Sequence, residues 1–482
     1  MERSRFRLPL LAAVGFAAHL SLTTAGGAAA PPQTLRVDYF HTGNAREEGF
    51  ALERVVLEPL PWPGDLAKAI DDTNLGKYLF EVIDRSSHSV LYSRGFASIY
   101  GEWETTGEAA EIDRTFSESL RFPRHPLADG PVQIVLKKRD KANDFREIWS
   151  LVVDPADMLV DSSRPPSAGE LIALQRSGDP ADKLDFLILG DGYTAAERGK
   201  CEQDARRLMG ILFATEPFAS RRTDLNVWGL CPAAAESGIS RPSLGIHRRS
   251  PVGSTYDAFR SERYVLTFDN RAFRDLASQA PYEVVEILAN GQTYGGGGIF
   301  GQFSTVAADS LWAPYVFVHE FGHHLAALAD EYYTSDVAYA PAATADRLEP
   351  WEPNVTALLD PATLKWKDLV APGTPLPTPW AKEAFEARSR EIQTERRKIR
   401  AEKRPESEMD ALFTRQRDEE EKRLGAEPFA GKAGAFEGAN YEAKGYFRPA
   451  ADCIMFTRDR VPFCPVCRHA IDRVIDLYAK RK

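Results

Sequence analysis

The stretch Val318-His319-Glu320-Phe321-Gly322-His323-His324-Leu325 constrains this chain more than any other. Residues four apart on an α-helix share a face and lie about 6 Å apart along the axis, so the His319 and His323 imidazoles can reach one metal ion. Glu320 is rotated off that face. That suits a carboxylate that takes a proton from water better than one that binds the metal. Val318, Phe321, Leu325 and Leu328 recur at helical spacing and would bury one side of the helix. The histidines fall on the neighbouring face, as a cleft-lining helix needs. The bland alternative is a buried helix whose His and Glu satisfy each other. The sharper reading is the apparatus of a zinc hydrolase, with one catalytic Zn2+ and Glu320 as general base.

At 482 residues the chain is too long for one ordinary core, and two or three domains are expected. A net charge of −10 argues against a nucleic-acid-binding surface, which needs basic excess. Residues 1–30 read as an export signal: Arg3, Arg5 and Arg7 precede an apolar stretch at 8–22, and Ala28-Ala29-Ala30 offers a cleavage site, with Ala25 as another. A retained signal anchor is the weaker reading, because the apolar run is short and small residues follow it. No later segment is apolar and long enough to span a bilayer, so no stable membrane insertion is expected once the signal is removed. The expected location is secreted or periplasmic. In such a protein some of the five cysteines should pair. Cys201 with Cys231, and Cys453 with Cys464 or Cys467, are the pairings assumed.

Residues 33–155 read as a β-rich, sandwich-like accessory domain. Leu35-Arg36-Val37-Asp38-Tyr39-Phe40 and Val132-Gln133-Ile134-Val135-Leu136 alternate in strand fashion, while His41, His88 and His125 are scattered singly. Serine, proline and aspartate mark a junction within 154–180. The domain from 160 to 482 then opens on a buried-strand run, Leu184-Asp185-Phe186-Leu187-Ile188-Leu189. Thr194 and Glu197 stand in capping-box spacing ahead of an amphipathic helix. Strands at 225–230, 264–268 and 284–288, with a helix near 271–279, point to an α/β catalytic domain. Tyr294-Gly295-Gly296-Gly297-Gly298 reads either as a flexible hairpin tip or as an edge strand along which a peptide substrate could lie. A charged block at about 382–423, interrupted by Pro405, reads as a solvated helical hairpin, with a partner-docking arm as the sharper alternative.

A catalytic zinc normally has three protein ligands and one open position. Asp330 and Glu331 are the nearest acidic residues after His323, and Asp330 lies eleven residues beyond His319. In a continuous helix Asp330 would sit about 16 Å further along the axis, so it can ligate only if the helix breaks between about His324 and Ala329. No Gly or Pro marks such a break. Glu437 and His469 are the more distant alternatives.

His319-Glu320-Phe321-Gly322-His323 continuing to Leu328-Ala329-Asp330-Glu331-Tyr332-Tyr333 resembles the signature of the M64 metallopeptidases, the IgA-peptidase family. The likeness extends to Gly190-Asp191-Gly192-Tyr193-Thr194, Asn226-Val227-Trp228, Phe436-Glu437-Gly438-Ala439 and the run from Cys453 through Met455 to Phe463-Cys464-Pro465-Val466-Cys467. Together such blocks cover most of 184–470, and the β-rich segment resembles the N-terminal domain accompanying such peptidases. The resemblance implies a metzincin-like zinc peptidase of α/β (α+β) class acting on a protein or peptide substrate. It implies His319, His323 and Asp330 as metal ligands, Glu320 as base and Met455 in a turn beneath the metal. Two departures from the broader metzincin pattern are Ala326, where Gly is usual, and an acidic residue replacing the third His one position late.

Around the Met455 turn, the three C-terminal cysteines are expected to form a disulfide clamp. A structural zinc on Cys453, Cys464, Cys467 and His469 is the lesser reading. Tyr332, Tyr441 and Tyr446 are the phenols that could donate to an oxyanion. The rival function is a catalytically silent binding or adhesion protein on a peptidase scaffold; the intact His-Glu-x-x-His argues against it. Zinc hydrolysis of a non-peptide bond uses the same apparatus.

Overall fold

Alternating side chains build the N-terminal strands of the computed structural model, which describes residues 31–124, 130–334 and 347–480. The expected signal segment and His125 lie outside the described residues. Strands β1 (Gln33–Gly43), β2 (Glu48–Pro61), β3 (Tyr78–Asp84) and β4 (Val90–Phe96) precede a short helix α1 (Ile99–Trp103). Then come β5 (Arg114–Pro123), β6 (Val132–Arg139) and β7 (Phe145–Val153). They form two antiparallel sheets, ordered β2-β1-β5 and β4-β3-β6-β7. Leu35, Val37 and Tyr39 from one sheet share a core with Phe80, Val82, Ile134 and Leu136 from the other, as in a sandwich. His41 is a satisfied core histidine, held between Glu118 (3.2 Å) and Glu48 (2.9 Å).

The opposite face of β1 is also buried. Arg36 and Asp38 point away from the sandwich core, and the Arg36 guanidinium donates to Asp38 (2.9 Å) and to Asp275 (2.5 Å). Removing one partner of such a buried pair would leave a costly unpaired charge.

The second half is organised by a six-stranded sheet. Its elements are β8 (Ile172–Gln175), β9 (Leu184–Asp191), α2 (Arg198–Leu212), β10 (Leu225–Leu230), β11 (Ser254–Thr255), β12 (Leu266–Thr267), α3 (Asn270–Ala277), β13 (Val284–Ala289), β14 (Gly296–Ile299), β15 (Phe303–Ala307) and α4 (Ala313–Ala326). The strand order is β14-β15-β13-β9-β10-β8, parallel in the middle with antiparallel edges. Every residue of β9 is buried, because helices or strands cover both faces. Phe186 and Ile188 face α2 and α4, while Leu187 and Leu189 face α3 together with Tyr100, Trp103 and Phe116 of the N-terminal region. The N-terminal region therefore completes the second face of the sheet.

Two expectations change here, and the glycine run is decided in favour of one of its two readings. The 264–268 segment does not extend the main sheet; Leu266–Thr267 pairs with Ser254–Thr255, and Tyr264 only bridges to Gly296. The glycine run is no loose hairpin tip but the edge strand β14. The charged block forms α5 (Lys382–Ala401) and α6 (Glu406–Leu424), whose outer faces are solvated but whose inner faces are not. Phe385, Ile392, Ile399, Met409, Leu412 and Phe413 join the main core. Arg388 clamps the two helices through Glu419 (2.6 and 3.0 Å). The hairpin β16 (Phe436–Ala439) and β17 (Glu442–Arg448) and the closing helix α7 (Pro465–Tyr478) complete the chain. Among the described residues no helix is long and apolar enough to cross a membrane.

Candidate metal centre

Helix α4 is seated on the sheet by Phe321, whose ring lies 4.6 Å from Phe186 and 5.5 Å from Phe218. That contact turns His319 and His323 outward, into a cleft of about 770 Å³. Carbonyl oxygens orient both rings. His319 Nδ1 donates to Ile454 O (2.9 Å), and His323 Nδ1 donates to Leu328 O. A carbonyl can only accept, so Nδ1 of each ring carries a proton and Nε2 is the ring atom left facing the cleft, where a metal could take it.

The helix does break where Asp330 requires it. Ala327 caps α4 in the left-handed conformation (φ 56°, ψ 30°), which turns the chain back without a glycine. Asn354 then grips the returning strand, accepting from Ala329 N (2.8 Å) and donating to Ala329 O (2.9 Å). Glu331 N donates to Met455 O (2.9 Å), and Asn440 N donates to Asp330 O (3.1 Å). The result brings Asp330 Oδ1 to 3.1 Å from His319 Nε2 and 3.3 Å from His323 Nε2, while the two Nε2 atoms are 3.1 Å apart. A tetrahedral ion with bonds of about 2.0–2.1 Å holds its ligand atoms roughly 3.3–3.4 Å apart. The three donor atoms thus form nearly the triangle such an ion needs, and their chemistry suits zinc.

Electrostatics point the same way. Burial opposes the charged form of His323, yet the adjacent Asp330 prevails and holds its pKa up at about 9. Burial also works against an ionised Asp330, but His323 and His319 outweigh it and keep the carboxyl well below its usual range. A metal would replace the protons in this ion-paired cluster.

Glu320 stands beside the triangle and lines the cleft; its carboxylate makes no hydrogen bond among the described residues. Burial raises its pKa against the pull of His319 and His323. Its helix lies directly on β14. A Cβ at Gly298 would collide with Glu320 O and come within 2.9 Å of His323 Cβ, so the glycines are there for close approach. Gly322 has the same role on the other side, where a Cβ would meet Met455 Sδ at 3.2 Å and Phe463 at 3.0 Å. Met455 therefore packs against the helix that carries the two histidines.

The more distant ligand alternatives are elsewhere. Glu437 pairs with Lys382 (2.6 Å), and His469 is exposed on α7. Of the three phenols, Tyr446 donates to Leu348 O (3.3 Å) and Tyr441 donates to Asp330 Oδ2. Tyr332 stacks over His319, and its oxygen accepts from Arg263 (3.2 Å). Tyr315, whose hydroxyl lies 3.2 Å from His319 Nδ1, escaped the sequence reading although it stands one helical turn before His319. Asn354 and Arg263 carried no sequence signal, since only the fold brings them here.

The cleft has walls from distant parts of the chain. Ser98 and Glu102 come from the N-terminal region, and Phe385, Arg396 and Glu420 from the charged helices. Burial pushes the Glu102 carboxyl up to about 7.

Two imidazoles and a carboxylate around one point, with a second carboxylate alongside and an open cleft, make up the site class of metal-dependent hydrolases. A family model described as IgA Peptidase M64 matches residues 172–475, and one described as Peptidase M64 N-terminus matches residues 28–150. The chain belongs to the M64 peptidase family, a family of metallopeptidases. No curated protein matches it.

Proposed function

We propose that this chain is an exported zinc endopeptidase that cleaves peptide bonds in proteins. His319, His323 and Asp330 hold the ion and Glu320 is the general base. The observation that carries the reading is the triangle of donor atoms, each about 3.1–3.3 Å from the next, with the Glu320 carboxylate beside it. When bound, zinc supplies Lewis-acid activation of a water and of the scissile carbonyl. Glu320 takes the proton from the attacking water and delivers it to the leaving amine; its burial-raised pKa suits both halves of that transfer. Tyr332 donates to the developing oxyanion, with the Arg263 guanidinium behind it. Ile454 O and Leu328 O hold the imidazoles in one tautomer throughout.

Edge strand β14 supports the substrate class. The N–H and C=O of Gly296 point away from β15, bonding Arg263 O and Val265 N (both 3.1 Å). By the two-residue repeat of a strand, those of Gly298 point the same way, towards the cleft. An extended peptide can pair there and cross the site in the middle of its length, which favours internal cleavage. The N-terminal region contributes Ser98 and Glu102 to the same cleft, and so a share of substrate binding. The Cys201–Cys231 disulfide supports an oxidising destination.

Hydrolysis of a casein-type substrate tests the reading. A chelator should abolish it and added zinc should restore it. A protein that binds the substrate but never cleaves it, with zinc bound, would be the silent scaffold instead.

A further inference from the structure

Behind the candidate centre lies a second cluster of metal-binding side chains. Cys453, Cys464, Cys467 and Glu331 are all buried, and their ligand atoms lie within 4.8 Å of one another. The three thiols are unpaired, so the expected disulfide clamp is absent. The exposed His469 has no part in the cluster.

We propose that these four residues bind a second, structural zinc ion. The sulfurs of Cys453 and Cys467 are 3.8 Å apart. A tetrahedral zinc with Zn–S bonds of about 2.3 Å has sulfur–sulfur edges of about 3.8 Å. An iron–sulfur cluster would need its cysteines spread more widely than this set. Glu331 Oε1 lies 3.2 Å from Cys467 Sγ and accepts from Asn354 (3.0 Å). Its other oxygen, Oε2, is buried with no hydrogen-bond partner among the described residues. A buried carboxylate oxygen in that state is costly unless something absent from the protein atoms completes it. Soft thiolates with one carboxylate at tetrahedral spacing select zinc over the hard cations.

The surroundings suit the charge. Binding displaces to solvent whatever protons the three thiols and the Glu331 carboxyl carry, and leaves four anionic ligands around one dication. The fully buried Arg448 guanidinium acts on both Glu331 and Cys453. Cys464 caps α7 and Cys467 lies in its first turn, at the positive end of the helix dipole. Cys464 N also donates to Cys453 Sγ (3.3 Å).

The consequence is positional. Asp330 and Glu331 are consecutive, and their side chains meet different partners. Asp330 meets the His319–His323 pair, and Glu331 meets the thiols. An ion on the thiol side would fix the segment that carries Asp330. These residues would be positioning residues, remote from substrate.

Zinc-edge X-ray absorption on the full exported protein, reconstituted with excess Zn2+ and then freed of unbound metal, tests the site. The centre at His319, His323 and Asp330 has only nitrogen and oxygen donors, so any sulfur shell reports the second site alone. Two zinc ions per chain and a shell at about 2.3 Å, averaging roughly one and a half sulfurs per zinc, are expected. In a His319→Ala/His323→Ala variant one zinc should remain, with about three sulfurs. That result is independent of whether the chain is a peptidase. A spectrum with no sulfur shell, or peptide mapping that finds a disulfide among Cys453, Cys464 and Cys467, would overturn the proposal.

Discussion

The hydroxyl of Tyr441 donates to Oδ2 of Asp330, which leaves Oδ1 facing His319 and His323. Tyr441 can do this because Asn440 and Tyr441 form a two-residue hairpin loop with both residues at positive φ (52° and 62°). Tyr441 N meanwhile donates to Tyr332 O (3.1 Å), so the loop is docked on the segment it serves.

Tyr441→Phe should therefore loosen the third ligand without unfolding the protein. Partners of this kind typically change metal affinity by about 10–100-fold. Competition against a chromophoric chelator should give a weaker catalytic zinc by that factor, with most activity recovered at saturating zinc. An unchanged affinity would mean that Asp330 needs no such support.

The glycines of β14 and the glycines of α2 make opposite predictions. Gly298→Ala drives a methyl group into Glu320 O and His323 Cβ, so stability should fall by about 2 kcal/mol or more and activity with it. At Gly210, in the last turn of α2, nothing lies within 4 Å of an added Cβ. Gly210→Ala should stabilise by about 0.5–1 kcal/mol. Denaturant unfolding of both variants, alongside a zinc count, checks the contrast.

Asp185 gives a pH prediction. Its Oδ1 accepts from Trp228 (2.6 Å) and Asn226 (3.1 Å), while Oδ2 is buried with no partner among the described residues. Burial, opposed by those two donors, pushes its pKa from 3.8 up to about 6. The neighbouring Glu283, which accepts from Asp185 N (2.7 Å), is raised by burial and by Asp185 itself. A carboxyl raised in the folded state favours folding fully below its unfolded pKa, and that contribution disappears as pH rises through about 6. The shift corresponds to on the order of 3 kcal/mol. Asp185→Asn keeps both accepting contacts and removes the charge. Its unfolding free energy should exceed the parent's by about 1–2 kcal/mol at pH 7.5, with the advantage gone near pH 4. A variant less stable than the parent at pH 7.5 would show that the carboxylate is needed as an anion.

The legible and illegible parts of this molecule differ in physical kind. His319 and His323 could be read because four-residue spacing on a helix forces a shared face, whatever surrounds it. Strand β9 could be read because six consecutive mostly apolar residues need cover on both sides. The route by which Asp330 arrives could not, because the chain turns at an alanine, Ala327, where left-handed backbone usually calls for glycine. The charged helices looked solvated because Phe385, Ile392 and Ile399 recur only every seven residues among many charges. That spacing is enough for one buried seam. The C-terminal cysteines read as a disulfide from the expected compartment, whereas the fold puts Glu331 among three unpaired thiols.

The central claim is that Glu320 moves the proton while His319, His323 and Asp330 hold the ion. The most direct measurement is zinc content and peptide hydrolysis on the same preparation of Glu320→Gln. The account predicts parental zinc content with hydrolysis reduced by about 10²–10⁴-fold, since the amide can accept a hydrogen bond but cannot take the proton. Zinc retained together with parental hydrolysis would contradict it.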